Sequence, residues 1–392
     1  MKIACYCQHV LGIGHFHRSL EICKALAAHH ETVMILGGPD VTLPKTDVTF
    51  VQLLGLKMDA KFSTLLPCDP GQSLEEIKAK RQKQLYSFFQ EFTPDIFLVE
   101  LYPFGRKAFR FELDPILQDI GTGKLSPCLR LSSLRDILVE KKDREKYENR
   151  VVNLLNTSFD GLLVHSDPDF IPLEQTFSSS SSITIPVHYT GFITPPQDPL
   201  QQNNTLRQDL NIPDEDKLIV ASIGGGNVGA ELLQAVSKAA NLLKENATLH
   251  FHLFTGLYSA PELYTELQSL KSSHIHIHRF ANNFPEWLQA ADLSISMAGY
   301  NTCMNLLDAN IPALLFPFAQ NREQKMRITA FTECCNFTLL VTDDLQAEKL
   351  AQILTLKLAR KNKQPNTVDL HGAAKSCELI SDATLWKKDR SC

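Results

Sequence analysis

The sequence predicts an α/β protein with two Rossmann-like, doubly wound domains that face a central cleft. Short apolar segments alternate with segments of helical period, a texture typical of parallel sheets joined by helical crossovers. A glycine-rich turn follows the first strand of each half, at Gly12–His15 and again at Gly224–Gly229. The length of 392 residues fits two ordinary domains.

Strands and helices are predicted in regular order in the first half. The first strand, Ile3–Cys7, precedes a helix whose apolar positions recur from Arg18 to His29. Further strands are predicted at Val33–Leu36, Val48–Leu53, Ile96–Glu100, Cys128–Leu131 and Gly161–His165, with helices at Leu74–Phe92 and Arg144–Asn156.

The alternation stops between about Phe177 and Asp216, where five consecutive serines and several prolines occur. We therefore expect an N-terminal domain over 1–193, a linker over 194–216, and a C-terminal domain over 217–360. A polar tail over 361–392 has one short apolar segment that would let it pack back on the N-terminal domain. Strands of the second half are predicted at Leu218–Ile223, Leu249–Phe254, His274–His278, Leu293–Ser296, Ala313–Phe316 and Thr338–Val341.

Composition excludes several classes of protein. A formal net charge of −5 argues against a chain built to neutralise nucleic-acid phosphates. The charged run Glu140–Lys146 alternates in sign, which favours a solvated helix face. The ten cysteines lack the C-x-x-C spacing, and no segment reaches about 18 apolar residues, so we expect a soluble, cytoplasmic protein with reduced thiols.

The first glycine turn places a histidine at the start of a helix. The turn has Gly12 and Gly14, but His17 stands where a dinucleotide fingerprint needs its third glycine, so an NAD site is disfavoured. A helix N-terminus would lower the pKa of His15 and make it a base near neutral pH. The alternative is that His15 only caps the turn.

The second glycine turn is the stronger ligand signal. Gly225, Gly226 and Asn227 would present backbone amides to an anion, with a helix dipole behind them. The Lys-Ser/Thr of a Walker loop is missing, which favours a nucleotide-sugar diphosphate over an NTP bound with magnesium. A tight turn without a ligand is the alternative.

A third group of polar residues follows two later strands. Gly299, Tyr300, Asn301 and Thr302 begin a helix that carries Asn305 one turn further on. Beyond the next strand stand Glu323 and Gln324. Side chains at neighbouring strand ends suit a ribose and a sugar.

These motifs together resemble the GT-B-fold glycosyltransferases related to the bacterial peptidoglycan N-acetylglucosaminyltransferase, MurG. The similarity is greatest to a branch of predicted glycosyltransferases. It is carried by Gly12–His15, Gly224–Gly229, Ala298–Thr302 and Pro317–Gln324, and also by Val99–Arg106, Leu134–Asp136 and Tyr189–Phe192. The resemblance covers nearly the whole chain.

The resemblance implies a metal-independent, inverting transfer of a hexosyl or N-acetylhexosaminyl group from a nucleotide-sugar, with a UDP-sugar favoured and no cofactor. His15 would be the base near the acceptor. Gly225, Gly226, Asn227 and Gly299–Thr302 would approach the diphosphate. Glu323 and Gln324 would contact donor sugar and ribose, and Asn305 stands where the family commonly has a ribose-binding glutamate, which puts ribose selection in doubt.

The acceptor side is predicted less specifically. Gly12, Gly14, Glu100, Arg106, Arg135 and Asp136 are candidates because of their places in the first turn or at probable strand ends. A structural Arg–carboxylate network explains the four charged residues equally well. The acceptor itself and the oligomeric state are not encoded, and the basic residues Lys387, Lys388 and Arg390 allow a weak membrane contact, although a solvated tail is the default.

The predicted donor motifs also fit proteins of other functions. A nucleotide-sugar epimerase or hydrolase of the same fold, or a non-catalytic nucleotide-sugar-binding protein, would share the donor motifs. His274, His276 and His278 superficially suggest a metal, but the alternating isoleucines favour a half-exposed strand and no metal site. Trp287 is expected to anchor a short helix in the core.

Overall fold

The computed structural model describes residues 1–9, 14–59, 64–195, 205–318, 322–332, 335–359 and 367–386. They form two compact units. The first holds the described residues up to Pro195 and from Asp369 onward, and the second holds those between Pro196 and Val368. The prediction for Gly12 falls outside the described residues, as do those for Lys387, Lys388 and Arg390.

The first unit is built around a parallel sheet. Its strands are β1 (Lys2–Tyr6), β2 (Glu31–Leu36), β3 (Thr49–Gln52), β4 (Leu56–Met58), β5 (Leu65–Pro67), β6 (Ile96–Glu100), β7 (Leu129–Arg135), β8 (Gly161–His165) and β9 (Val187–Tyr189). Its first four helices are α1 (Gly14–Ala27), α2 (Leu74–Phe92), α3 (Arg110–Gly121) and α4 (Arg144–Ser158). Seven strands pair in the order β3-β2-β1-β6-β7-β8-β9, while β4 and β5 form a separate antiparallel hairpin.

The second unit repeats this plan. Its strands are β10 (Lys217–Ser222), β11 (Leu249–Phe254), β12 (Ile275–His278), β13 (Leu293–Met297), β14 (Ala313–Phe316) and β15 (Phe337–Leu339). Its helices are α5 (Leu206–Asp209), α6 (Ala230–Leu242), α7 (Pro261–Gln268), α8 (Phe284–Ala290), α9 (Tyr300–Ala309), α10 (Arg322–Thr332) and α11 (Ala347–Leu358). The six strands are parallel in the order β12-β11-β10-β13-β14-β15, the order of a dinucleotide-binding Rossmann sheet.

The last described segment packs within the first unit. Helix α12 (Gly372–Ser381) lies against α1, and the amide of Gly372 donates to the carbonyl of Phe192 at 2.9 Å. Trp386 is 4% exposed and lies over Gly161, where an added Cβ would be 2.1 Å from its ring. The segment after the second unit thus completes the core of the first.

The predicted fold class is confirmed, and the differences are local. The five serines Ser178–Ser182, at the start of the stretch where the predicted alternation stops, form a 3₁₀ turn of the first unit. The buried carboxylate of Glu148 accepts hydrogen bonds from Ser178 and Ser179 and fixes this turn. Helix α3 and the β4–β5 hairpin were not predicted. None of the described helices is long and apolar enough to span a membrane.

Candidate functional site

Both sheets place their polar motifs where the strand order reverses. In the first unit β1 lies between β2 and β6, and in the second β10 lies between β11 and β13. At such a reversal point, the connections that follow the two neighbouring strands run in opposite directions. This opens a crevice at the carboxyl ends of the strands. The segment after β1 and the end of β6 meet at the first of these edges, and the turns after β10 and β13 meet at the second.

His15 and Glu100 form a pair at the edge of the first sheet. His15 is the second residue of α1, and Glu100 ends β6. The Nδ1 atom of His15 lies 2.6 Å from Oε1 of Glu100, and we assign the proton of that bond to Nδ1. Nε2 has no hydrogen-bond partner among the described residues, and 22% of the His15 side chain is exposed. This leaves the second ring nitrogen available for a proton.

Two arginines hold the carboxylate of Glu100. Arg18 Nη2 lies 2.8 Å from Oε1, and Arg106 Nη2 lies 3.2 Å from Oε2. Glu100 is only 3% exposed, and burial alone would raise its pKa, but its contact with His15 and the charges of Arg106 and Arg18 lower that pKa well below its usual range. Glu100 therefore stays ionised at neutral pH and fixes the imidazole in one orientation.

The pKa of His15 is lowered to about 4. Burial is the main cause; Glu100 opposes it, and Arg106 and Arg18 add to it. The direction agrees with the prediction, whereas the predicted contribution of the helix N-terminus stays a prediction. At neutral pH His15 is an uncharged imidazole with its proton on Nδ1, which is the form that accepts a proton on Nε2.

Other buried polar side chains follow the neighbouring strands. The imidazole of His165 lies between Ser133 Oγ, 2.6 Å from Nε2, and Thr190 Oγ1, 3.0 Å from Nδ1. Burial lowers the pKa of His165 to about 3, so it is neutral and bridges the ends of three strands. Thr190 lies in the segment Tyr189–Phe192 that carries part of the family resemblance, but Ser133 and His165 were not predicted as site residues.

The remaining acceptor-side candidates have different surroundings. Gly14 begins α1 directly before His15. Asp136 is fully buried just after β7, and its Oδ1 lies 3.6 Å from Nε of Arg135. Glu100 and Arg106 thus belong to an Arg–carboxylate network, and that network holds the candidate base. A role of these residues in binding the acceptor stays a prediction.

In the second unit the glycine turn after β10 exposes backbone amides. The amides of Gly225 and Asn227 have no acceptor among the described residues, and both residues are exposed. A second loop supports the turn, since the amide of Tyr258 donates to the carbonyl of Gly225 at 2.8 Å. This supporting loop was not predicted from the sequence, although Gly256 directly after β11 indicates a turn there.

The glycines of the turn have different reasons to be glycine. Gly226 has φ +92°, and a Cβ there would lie 2.4 Å from the carbonyl oxygen of Thr255. Gly225 has no positive φ, and its nearest neighbour would be Tyr258 at an ordinary 3.5 Å. Folding therefore requires glycine at position 226 but not at position 225. The remaining reason for glycine at 225 is that a group from outside the chain approaches its backbone closely.

The start of α9 lies beside this turn. Ser222 of β10 pairs with Ser296 of β13, so Gly224 and Gly299 follow the same edge of the sheet. Gly299 has φ −63°, and a Cβ there would have only Thr302 Oγ1 within 4 Å, at 3.9 Å. It resembles Gly225 in lacking a structural need for glycine.

A buried arginine fixes the same turn. Arg327 of α10 is fully buried, donates to the carbonyl of Ala298 at 3.2 Å, and lies 5.6 Å from the ring centroid of Tyr300. No sequence signal distinguished Arg327 from the exposed basic residues around it.

The side chains predicted to bind the sugar and the ribose lie near the end of the next strand, β14. Met297 pairs with Phe316, which brings the end of β14 next to the turn before α9. Gln324 accepts from the amide of Phe318 at 2.8 Å, while Glu323 and Asn305 are half-buried. The structure thus brings the three predicted donor segments to one edge of the second sheet.

The histidines of β12 belong to an aromatic cluster. His252 of β11 stacks on His276 and His278 with ring centroids 4.5 and 5.2 Å apart, and Trp287 of α8 lies 4.8 Å from His252. Trp287 is 6% exposed and anchors α8, as predicted. Across the described ranges, no group of three or more His, Cys, Asp or Glu side chains is arranged to hold a metal ion.

A protein-family model matches the second half of the chain. The family is the glycosyltransferase family 28 C-terminal domain, and the match covers residues 220–381. It therefore includes all three donor segments and also α12.

Two bacterial relatives are each named UDP-N-acetylglucosamine–N-acetylmuramyl-(pentapeptide) pyrophosphoryl-undecaprenol N-acetylglucosamine transferase. The protein from Desulforamulus reducens is 25% identical over 53% of this chain and 56% of its own length. That from Nostoc sp. is 32% identical over 40% of this chain and 43% of its own length. The chain thus spans about half the length of the relatives it matches.

Solved structures resemble the whole chain in fold. A kitacinnamycin glycotransferase has a TM-score of 0.64 at 14% identity, covering 97% of this chain and 98% of its own. UDP-GlcNAc 2-epimerase from Methanocaldococcus jannaschii has 0.62 at 13%, covering 99% and 100%. Acinetobacter baumannii MurG has 0.54 at 14%, covering 96% and 95%. The predicted resemblance to MurG-like proteins of the GT-B fold is confirmed.

Proposed function

Because this chain carries a glycosyltransferase family 28 domain within a MurG-like GT-B fold, we propose that it transfers a sugar from a nucleotide-diphosphate sugar to an acceptor hydroxyl. One observation carries the proposal: three polar segments lie along one edge of the second sheet, at its strand-order reversal and at the end of the next strand, in the part of the chain that the family model matches. UDP is the favoured nucleotide, since the names of the two relatives give a UDP-sugar as the donor.

The donor diphosphate is proposed to lie against the turn after β10 and the start of α9. The amides of Gly225 and Asn227 and the first turn of α9 supply hydrogen-bond donors, and the N-termini of α6 and α9 favour negative charge. Such donors stabilise a departing diphosphate without reorganising. We therefore expect transfer to proceed in the presence of a chelator.

His15 is proposed to be the general base. Its Nε2 takes the proton of the acceptor hydroxyl while the acceptor oxygen attacks the anomeric carbon. The bond from that carbon to the diphosphate oxygen breaks, and the nucleoside diphosphate leaves with the electron pair. Glu100 keeps the proton on Nδ1 and stabilises the imidazolium that forms. A single displacement of this kind inverts the anomeric centre.

The test is a donor panel followed by proton NMR. Full-length protein is incubated with UDP-, GDP-, dTDP- and ADP-sugars in EDTA, with an acceptor extract or with water alone, and the sugar products are followed. We expect one nucleotide-sugar to be consumed with inversion at C1, and the Gly225→Ala variant to be inactive but folded. Retention at C1 would refute the single displacement.

The same spectra separate the alternatives. A 2-epimerase would change the configuration at C2 without any acceptor, and a hydrolase would release free sugar at full rate in water alone. A protein that binds the donor but gives no product with any extract would be a nucleotide-sugar-binding protein. Each of these results would overturn the proposed transfer.

A further inference from the structure

The segment that follows β6 carries two residues in the left-handed backbone conformation. Leu101 has φ +63° and Arg106 has φ +56°. Residues other than glycine rarely adopt this conformation, because their Cβ atom then lies too close to the following carbonyl oxygen. Between these two residues the amide of Gly105 donates to the carbonyl of Leu101 at 2.6 Å and closes a turn. We call the segment Leu101–Arg106 the arginine loop.

The other described residues that have a positive φ without being glycine all lie where a helix ends. Thr93 and Asn310 cap α2 and α9, and Asn211 comes directly after the cap of α5. A left-handed residue at such a place satisfies the last carbonyl groups of the helix. The arginine loop follows a strand instead, so helix termination does not explain its conformation. Backbone strain of this kind is typical of functional sites.

Buried neighbours hold the arginine loop in this conformation. Tyr102 and Phe104, at alternate positions of the loop, are 1% and 2% exposed. The carbonyl of Tyr102 accepts from Ser132 Oγ at 2.8 Å, and the carbonyl of Phe104 accepts from the hydroxyl of Tyr147 at 2.8 Å. Packing of the first unit's core thus maintains a backbone conformation that the loop would not keep by itself.

The conformation of the loop returns Arg106 to the residue that precedes the loop. Its Nη2 and Nε atoms lie 3.2 and 3.3 Å from Oε2 of Glu100. Within the described ranges, Glu100 is the one hydrogen-bonding partner of the Arg106 side chain. Arg18 differs, because its Nη2 lies 2.8 Å from the other oxygen of Glu100 and also 3.2 Å from Nδ1 of His15. Arg106 therefore reaches His15 through Glu100 and through its charge alone.

The charge of Arg106 favours the uncharged form of His15. Burial is the main cause of the lowered pKa of His15, and the charge of Arg106 lowers that pKa further. The other titratable groups near the carboxylate of Glu100 are Cys7, after β1, and His165 of β8. Burial raises the pKa of Cys7 to about 12 and lowers that of His165 to about 3, so neither is charged at neutral pH. The arginines are thus the cations that balance this carboxylate when His15 is neutral.

We propose that the arginine loop is a preformed positioning element, in which a strained backbone fixes Arg106 on Glu100 so that His15 is oriented and uncharged before an acceptor binds. The inference rests on the proposed role of His15 as the general base. Arg106 is then a positioning residue that acts through Glu100, whereas Arg18 ties Glu100 and His15 to α1. A charge that is already in place needs no rearrangement during the reaction, which explains why strain is kept here.

Titration of His15 by NMR tests the proposal without any turnover. Full-length protein is prepared with isotope-labelled histidine rings, and the His15 signal is identified by its absence from His15→Ala. Arg106→Gln should raise the titration midpoint of His15 by about 0.5–1 pH unit, because a neighbouring positive charge is lost. Arg106→Lys keeps the charge and should restore most of the difference.

A second pair of variants tests the backbone strain itself. Leu101→Ile conserves the volume of the side chain, but a β-branched residue is incompatible with φ +63°. It should displace Arg106 and shift the His15 midpoint as Arg106→Gln does, whereas the unbranched Leu101→Met should titrate like the wild type. The control Asn211→Ile places the same side chain at φ +56° on an exposed residue of the second unit. It should lower Tm by about 2–4 °C and leave the His15 midpoint unchanged.

Nucleotide release with an acceptor extract separates this proposal from the proposed function. In Arg106→Gln and Leu101→Ile the acid limb of the rate should move to higher pH, and turnover should fall by about tenfold or more with donor affinity unchanged. An unchanged His15 midpoint in Arg106→Gln, or wild-type titration and turnover in Leu101→Ile, would overturn the positioning role of the loop. Shifted midpoints together with full turnover in His15→Ala would support the loop and count against the proposed base alone.

Discussion

Replacing Glu100 with glutamine tests whether His15 acts as a general base and Glu100 positions it. Glutamine has nearly the same shape, but it removes the charge that lies between Arg18 and Arg106. Both arginine side chains are nearly buried, at 4% and 9% exposed, so water compensates them poorly. The substitution therefore removes the carboxylate charge from two nearly buried arginines and leaves the imidazole without its carboxylate.

The structure sets the expected magnitudes. Breaking a buried ion pair costs about 3–5 kcal/mol, and we expect a loss of about 3 kcal/mol in the free energy of unfolding for Glu100→Gln, since the amide keeps one hydrogen bond. Loss of an oriented general base lowers turnover by about 10²- to 10⁴-fold, with little change in donor affinity. His15→Ala should show a similar loss of turnover.

The assay combines urea unfolding with nucleotide release by Glu100→Gln, His15→Ala and the double variant. If the two residues act as a unit, the double variant loses no more turnover than His15→Ala alone. Glu100 raises the pKa of His15, so the acid limb of the rate should move to lower pH in Glu100→Gln. Full turnover in Glu100→Gln, or additive losses in the double variant, would refute the pairing.

Three further predictions concern stability and pH. Gly226→Ala, with φ +92° and a contact of 2.4 Å to Thr255, should lose about 1–3 kcal/mol of unfolding free energy by urea titration, whereas unchanged stability would contradict the strained turn. Trp386→Ala should lose about 3–5 kcal/mol, and a normal urea midpoint would show that the last segment does not complete the first unit's core. Burial lowers the folded-state pKa of His252 to about 3, so its stabilising contribution is complete above about pH 6.5 and decreases by up to about 1.4 kcal/mol per pH unit as the pH falls towards 3. Unfolding at a series of pH values should show a shallower slope in His252→Phe, and identical slopes would contradict this prediction.

Much of the fold could be predicted because its strands are buried on both faces. Ile96–Glu100 and Ala313–Phe316 were predicted with their observed bounds, since a continuous apolar run makes up most of each strand. The end of β7 was predicted four residues too early, because Ser132 and Ser133 interrupt the apolar run although both are buried. Local pattern reveals hydrophobicity, whereas burial of a serine depends on partners far along the chain.

The candidate site divides in the same way. His15, Gly225 and Gly299 were found because a glycine turn after a strand is a local pattern. That Glu100 binds His15 depends on a pairing between residues 85 positions apart, and the sequence indicated only that each was a candidate. Arg327 gave no signal, because its burial is set by the packing of α10.

Calorimetric titration of the full-length protein with UDP-N-acetylglucosamine in EDTA tests whether the donor turn of the second unit binds a nucleotide-sugar. We expect wild type and His15→Ala to bind with the same Kd, because His15 lies in the first unit and does not hold the donor. We expect binding at least tenfold weaker in Gly225→Ala, with an unchanged Tm, because the added methyl group blocks the approach of the diphosphate and nothing else. Equal affinity in Gly225→Ala and wild type, or no binding of the nucleotide-sugar at millimolar concentration, would contradict this role of the turn.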